Sequence, residues 1–287
     1  MSPGRGPYRG PLKLSSMTGH FPAIRAPGEA SSLERMLGLL NLFTAETPVW
    51  STDELIRRSA TARSTCYRYI RTLQDAGLLT PVANGSYMLG PRIIEMDRTM
   101  RLCDPVTVAG GPPMRRLAKE TGQSALLCVL FSGTVMCVDE ALAPGAPNLF
   151  SRGQRRSLLT GAASKVILAH LPAHQLRAVH ARQGAAIAAA GLGEDWTGFR
   201  RALRRIREAR HCVTASEFIP GIVGIAAPLF NAAGGVLGSL GLAGTEAHIP
   251  PERRPALAER VMEAAAEACA SIARGQPGTA LPARAVS

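Results

Sequence analysis

The chain is poor in lysine, in aromatic residues and in closely spaced cysteines. Of its 33 basic residues only Lys13, Lys119 and Lys165 are lysines, and aromatic side chains make up 5% of the sequence. The six cysteines, at positions 66, 103, 128, 137, 212 and 269, include no Cys-x-x-Cys pair and no Cys/His ligand spacing, which excludes the common structural zinc sites; no metal is expected. No continuous apolar stretch reaches the roughly 18 residues of a membrane-spanning helix. The opening residues carry prolines and no apolar run, so nothing there resembles a signal peptide. Neither a Gly-rich phosphate loop nor a nucleophile elbow accompanies any Ser, Cys or His, so no enzyme and no cofactor are expected. These absences lead to the expectation of a soluble, cytoplasmic binding protein with no membrane partner.

What is present is arginine. The formal net charge is +12, and the side chain that supplies most of it forks to phosphates and to guanine edges, which suits nucleic acid. The charge is spread along the chain, however, and a composition rich in Ala, Gly, Pro and Arg also follows from a GC-rich coding sequence. At 287 residues and 46% apolar content there is material for one large domain or two smaller ones.

Periodicity divides the chain. Residues 1–30, rich in Gly, Pro and basic residues, read as a disordered arm, and 276–287 as a flexible tail. Leu33, Met36, Leu37 and Leu40 form a helical stripe after Ser31 and Ser32. Ser51 with Glu54 is a capping box opening a short second helix. A third helix runs through RSTCYRYIRTLQDA to Gly77, and the Asn-Gly between LLTPV and SYMLG favours a hairpin turn. Three helices and a two-stranded wing make residues 31–92 a winged helix-turn-helix. Residues 93–108 read as a linker helix ending at Asp104-Pro105. Residues 109–275 alternate helices, the first of them PMRRLAKETG, with hairpin-joined strands. This predicts an antiparallel sheet covered by helices, and an α+β chain overall. In LLCVLFSGTVMCV a two-residue loop at Ser132 and Gly133 would set Cys128 opposite Cys137, so a cysteine-based redox response is the alternative mode of control. The arginines of RRALRRIREAR, spaced around Phe199, Leu203 and Ile206, read as the solvated back of an amphipathic helix rather than a second nucleic-acid site.

The third helix carries the chemistry. Cys66, Tyr69, Ile70 and Leu73 fall on its core side; Ser64, Tyr67, Arg68 and Arg71 fall on the other, and Arg63 and Thr65 stand at its start. A helix lying in a major groove meets bases and phosphates with such a face. The arginines can fork to guanine or hold phosphate, and Ser64 and Thr65 can donate hydroxyls to phosphate alongside the helix N–H groups. The alternative is that these arginines only solvate an exposed face.

SLERMLGLLNLF, RSTCYRYIRTLQDAGLL and YMLGPRIIEM resemble the IclR family of bacterial transcriptional regulators, as do VLFSGTVMCVDEA, LLTGAASKVILAHLP and the segment from IREARHCV to GSLGLAG. The resemblance runs over residues 31–275. It implies a GAF-like effector domain, assembly of the chain with itself as a homodimer or dimer of dimers, and small-molecule control of binding to double-stranded operator DNA. Carried over by position, it implies an effector site from Leu159, Thr160 and Gly161, with Thr214 and Glu217 near the rim and Gly224, Ser239, Gly241 and Ala243 as floor. A helix starting near Gly161 would aim free N–H groups at a carboxylate or carbonyl, so a modest-sized organic acid or carbonyl compound is expected. Two departures from the family pattern stand at Ala60, where the turn usually has glycine, and at Ala62, where the third helix usually starts with proline. Gly241 and Ala243 replace the hydroxyls of relatives that bind small polar acids, which implies a bulkier or less polar effector.

Overall fold

The computed structural model describes residues 31–59, 61–144 and 150–275. The expected arm, the expected tail and the departure at Ala60 lie outside them.

The first helix, α1 (Ser32–Gly38), opens with a capping box in which Ser31 Oγ accepts from the Glu34 amide at 3.2 Å and Glu34 accepts from the Ser31 amide at 2.6 Å. It tightens into a 3₁₀ turn at Leu39–Leu42, and this shifts the phase of the apolar stripe. Leu39 and Phe43 take the core positions, while Leu33 and Leu37, expected to be buried, are 69% and 53% exposed. Strand β1 (Trp50–Ser51) leads into α2 (Thr52–Ser59), whose start is held by the expected Ser51–Glu54 box. Helix α3 (Arg63–Asp75) buries Cys66, Tyr69, Ile70 and Leu73 and is tied to α1 by a 2.8 Å hydrogen bond between the Tyr69 and Ser32 hydroxyls. Gly77 follows at φ 70°, a left-handed closure open to glycine. Strands β2 (Leu79–Val82) and β3 (Ser86–Leu89) form the wing, joined through Asn84 and Gly85 at φ 60° and 65°, and β1 pairs with the far side of β3.

Helix α4 (Arg92–Cys103) passes directly into α5 (Pro105–Thr121). The expectation that a helix starts at Pro113 is corrected: Asp104 accepts from the Thr107 amide at 2.8 Å, so Asp104-Pro105 is an N-cap followed by an N1 proline. The dipeptide ends one helix, as read, and starts the next: Asp104 is at once the C-cap of α4 and the N-cap of α5. Strands β4 (Ser124–Phe131) and β5 (Thr134–Ala141) form the hairpin over Ser132 and Gly133, and Cys128 does face Cys137. They are followed by β6 (Arg155–Arg156), α6 (Ala162–Ala169), α7 (Ala173–Ala189) and α8 (Trp196–Ala209). Strands β7 (Cys212–Ala215), β8 (Ile222–Phe230) and β9 (Val236–Thr245) and the helix α9 (Arg254–Gly275) complete the chain. Sequence reading did not single out α7: its alanine-rich run, bent at Gln183, shows little 3.6-residue contrast.

The larger sheet is antiparallel throughout, in the order β6-β5-β4-β9-β8-β7. Side chains of α5 and α9, such as Met114 and Val261, pack on one face; those of α6 and α8, such as Ile167 and Leu203, belong to the core on the other. The fold is α+β, and the second core holds the pocket described next.

Candidate functional site

Two sites stand on this framework. On α3, the residues opposite the core face solvent: Ser64, Tyr67, Arg68 and Arg71 are exposed, Arg63 is exposed at the helix start, and Thr65 is half-buried beside it. Arg63 lies over the Tyr67 ring at 5.7 Å and contacts Asp53 of α2 at 3.3 Å; Arg71 faces Asp75 at 3.9 Å. These contacts are exposed and weak, so the guanidiniums are pre-positioned yet free to exchange their partners for phosphate. Ala62 takes an extended conformation as the N-cap of α3 with no side-chain cap, leaving the first N–H groups of the helix open. The wing turn is fastened to α2, where Thr52 Oγ1 donates to the Gly85 carbonyl at 2.8 Å. The wing is thus tied to the helix that precedes α3.

The second site is a pocket between the start of α6 and strands β4, β8 and β9, with about 30 Å³ open to the centre of a water molecule. Gly161, Thr214, Gly224, Gly241 and Ala243 line it, as the family resemblance implied. Leu159 is buried outside the lining, and Thr160 is half-buried outside it too. Ser239 is turned away: its hydroxyl donates to the Ala163 carbonyl at 3.1 Å and anchors α6 to the sheet. Free N–H groups at the opening of α6 were expected, and here the structure differs. The Gly161 amide donates to Glu217 at 3.2 Å and the Ala162 amide to Thr214 Oγ1 at 3.1 Å, so protein acceptors already hold two of them. Glu217 is engaged on both oxygens, since Oε1 also accepts from Lys165 Nζ at 2.7 Å. The amides of Ala163 and Ser164 are the helix's remaining N-terminal donors.

Gly241 needs a different account from the one given by pocket volume. A Cβ there would lie 2.5 Å from the Ile225 carbonyl oxygen and 2.9 Å from Ala226 Cβ, so the close approach of β8 and β9 demands glycine. At Gly224 a Cβ would meet Thr214 Oγ1 at 3.4 Å, Ala162 Cβ at 3.5 Å and the Ala162 nitrogen at 4.0 Å, ordinary contacts within the pocket wall. Gly224 is the position that trades side chain for space.

Among the lining residues that sequence reasoning missed are Phe150, Arg156 and Phe218. Arg156 is 5% exposed, with its guanidinium carbon 3.2 Å from the Phe150 ring centre and 4.7 Å from that of Phe218. These three come from a two-residue strand and two loops, which carry no periodicity by which a sequence could flag them.

The redox alternative finds no support. Cys128 and Cys137 are both buried, and the Cys137 thiol, donating to the Cys128 sulfur and cut off from water, is pushed far up, away from the reactive thiolate. Cys212 is likewise no nucleophile: burial pushes it up to about 12, while His211 faces outward, its Nδ1 against the Ala209 carbonyl at 2.9 Å. Among the described residues no group of His, Cys, Asp or Glu could hold a metal ion, and no helix is long and apolar enough to cross a membrane.

Comparison with known proteins identifies both halves of the chain. The model of the IclR helix-turn-helix domain matches residues 32–83, and that of the bacterial transcriptional regulator IclR C-terminal domain matches residues 104–270. The HTH-type transcriptional regulator Rv1719 of Mycobacterium tuberculosis is 31% identical over 70% of this chain and 78% of its own length. KipR of Bacillus subtilis, another HTH-type transcriptional regulator, is 25% identical over 80% and 92%. Among solved structures, an IclR transcriptional regulator from Alicyclobacillus acidocaldarius superposes with a TM-score of 0.73 at 25% identity, covering 84% of this chain and 98% of that one. An IclR homolog from Microbacterium hydrocarbonoxydans complexed with 4-hydroxybenzoate shares the fold, with a TM-score of 0.69 at 22% identity over 86% and 100%. With a reading helix and wing at one end, a small pocket in the antiparallel-sheet half, and a family model matched across most of the chain, this protein belongs to the IclR family of DNA-binding, effector-controlled transcriptional regulators.

Proposed function

We propose that α3 is the recognition helix, lying in the major groove with Arg63, Tyr67, Arg68 and Arg71 toward the duplex, Ser64 and Thr65 on phosphate, and the Asn84-Gly85 wing beside it. The observation that carries this reading is the division of α3 itself: four buried side chains on one face, and arginines, a tyrosine and a serine with no core to serve on the other. Two chains present two such helices to successive grooves. The N-terminal part of the chain offers apolar surface for that pairing: Leu33 and Leu37 on α1, and Ile94, Met100 and Leu102 on α4, are exposed, Ile94 by 74%. Such a density of exposed large apolar side chains marks a protein contact rather than ordinary surface. An organic acid or carbonyl compound in the α6 pocket changes the spacing of the paired reading heads by favouring one arrangement over another. The neighbour complexed with 4-hydroxybenzoate supports an organic acid as effector.

The experiment is a shift assay with the full chain on the promoter regions of its own and adjacent genes, over a salt series. Binding should fall log-linearly with salt. Arg68→Ala should weaken it by roughly tenfold or more, the cost of a lost bidentate base or phosphate contact, whereas Arg9→Ala in the N-terminal arm should cost far less. Equal losses from the two would remove α3 from the interface. Sedimentation of Ile94→Glu at matched concentration tests the pairing surface: a monomer is expected.

A further inference from the structure

The interior of the pocket holds a cation with no counter-charge among the described residues. Arg156 enters from β6, 5% exposed, and lines the cavity. Phe150 and Phe218, their ring centres 5.1 Å apart, crowd its guanidinium carbon at 3.2 and 4.7 Å, so aromatic π-density holds the cation where an acid would ordinarily do so. Its Nε and Nη2, buried, have no hydrogen-bond partner among the described residues. The one other buried cation at this site, Lys165, is already matched to Glu217 at 2.7 Å. A buried, unpaired charge is costly to a fold and persists where something else completes it.

The two vacant atoms define the shape of what is missing. Nε–H and Nη2–H lie on one edge of the guanidinium and point in parallel, the fork that donates to both oxygens of a carboxylate in plane. Both rings crowd the guanidinium at the cavity wall rather than sandwiching it, and Nε and Nη2 are shut off from solvent, so a ligand reaches that edge only as the Phe150 and Phe218 side chains shift. One uncompensated positive charge asks for one negative charge. The space now open admits a ligand of only a few atoms; anything with an aromatic ring requires the Phe150 and Phe218 side chains to swing aside.

Building on the reading of this pocket as the effector site, we propose that Arg156 is its anion-binding residue, and that the effector is a small monocarboxylate held in bidentate fashion on Nε and Nη2. The rest of the acid lies toward Gly224 and Ala163, where the wall is apolar apart from Thr214 and the amides at the start of α6. Burial depresses the guanidinium's proton affinity from its ordinary value, as it does for a cation lacking a partner, and a bound carboxylate would reverse that. The site therefore discriminates by charge first: an acid enters, and its amide or ester is refused.

The test uses the full-length protein and thermal denaturation with acetate, pyruvate, benzoate and inorganic phosphate, each organic acid beside its primary amide. At least one carboxylate should raise the melting temperature of the wild type while its amide does not. Arg156→Met should abolish that shift, and Arg156→Lys, which keeps the charge and loses the fork, should weaken it at least tenfold in half-saturating concentration. Arg156→Met without ligand should melt at or above the wild-type temperature, because it removes an unpaired buried charge at similar volume; a fall of more than about 3 °C would make the arginine structural and overturn the proposal. Absence of any carboxylate shift in the wild type, or a larger shift with phosphate, would overturn it too. Gly224→Val separates the two claims. If acid and amide stabilise equally and both are blocked by Gly224→Val, the pocket stands and Arg156 is not its selector; if a carboxylate still stabilises Gly224→Val fully, the ligand binds elsewhere and the pocket reading falls.

Discussion

Glu217 illustrates how a single residue can differ from its sequence reading while remaining in the right place. It was expected at the rim of the effector site, and it is there, but its oxygens are occupied by Lys165 Nζ and the Gly161 amide. Lys165 is 7% exposed and gives its other recorded hydrogen bond to the Ala190 carbonyl at 3.1 Å, so the carboxylate neutralises a cation that water hardly reaches. Glu217→Gln should therefore lower stability by about 1.5–3 kcal/mol, the usual cost of losing a charged hydrogen bond, measured by urea denaturation. Retention of full stability would show the pair to be dispensable. Arg156 is the opposite case. Nothing in RGQRR distinguishes it from Arg152 or Arg155, because burial and proximity to Phe218, 62 positions away in sequence, exist only once the sheet has closed.

Among the elements, the glycines of the neighbouring strands β8 and β9 make opposite predictions. Gly241→Val should fail to fold or should lose much of its stability, since the new Cβ runs into the Ile225 carbonyl of the neighbouring strand. Gly224→Val should fold and bind DNA while losing effector response. Circular dichroism melts paired with the shift assay distinguish them, and equal tolerance would contradict the strand spacing. Helix α8 was legible in advance as an amphipathic rod: Phe199 and Leu203 are buried, and Arg204 is exposed and faces Glu208 at 2.7 Å. Leu203→Ala should cost about 2–5 kcal/mol in stability, whereas Arg204→Ala should leave both stability and DNA affinity nearly unchanged. A marked loss of DNA binding in Arg204→Ala would mean that this helix also meets nucleic acid.

Across the whole molecule, an ion-pair chain links helix α4 to the sensor half. Asp97 on α4 accepts from Arg152 at 2.6–2.7 Å and from Arg101 at 2.8 Å, and Arg101 reaches Asp139 of β5 at 3.5 Å. Arg152 lies four residues before Arg156, so the segment that lines the pocket also holds the helix leading to the reading head. Asp97→Asn should accordingly reduce the change in DNA affinity produced by effector more than it changes DNA affinity itself, as read from shift assays with and without ligand. The same acid predicts a pH response. Burial raises the Asp97 carboxyl, but hydrogen bonds from Arg101 and Arg152 outweigh that and hold it below its ordinary value. Its stabilising effect is present above the unfolded aspartate value of about 3.9 and is lost as pH falls through the lower folded value. Asp97→Asn should flatten stability against pH in that acidic window.

The winged helix-turn-helix, the hairpin that sets Cys128 opposite Cys137 and the two faces of α3 were determined by the sequence alone, because caps, turn residues and apolar spacing act between neighbours a few positions apart. The tertiary structure alone decided that the 3₁₀ turn after α1 leaves Leu33 and Leu37 outside, that α6 is capped by Glu217 and Thr214, and that an unpaired arginine stands in the pocket. Each of those depends on atoms brought together from distant parts of the chain, where desolvation and charge pairing, rather than local propensity, set the energy.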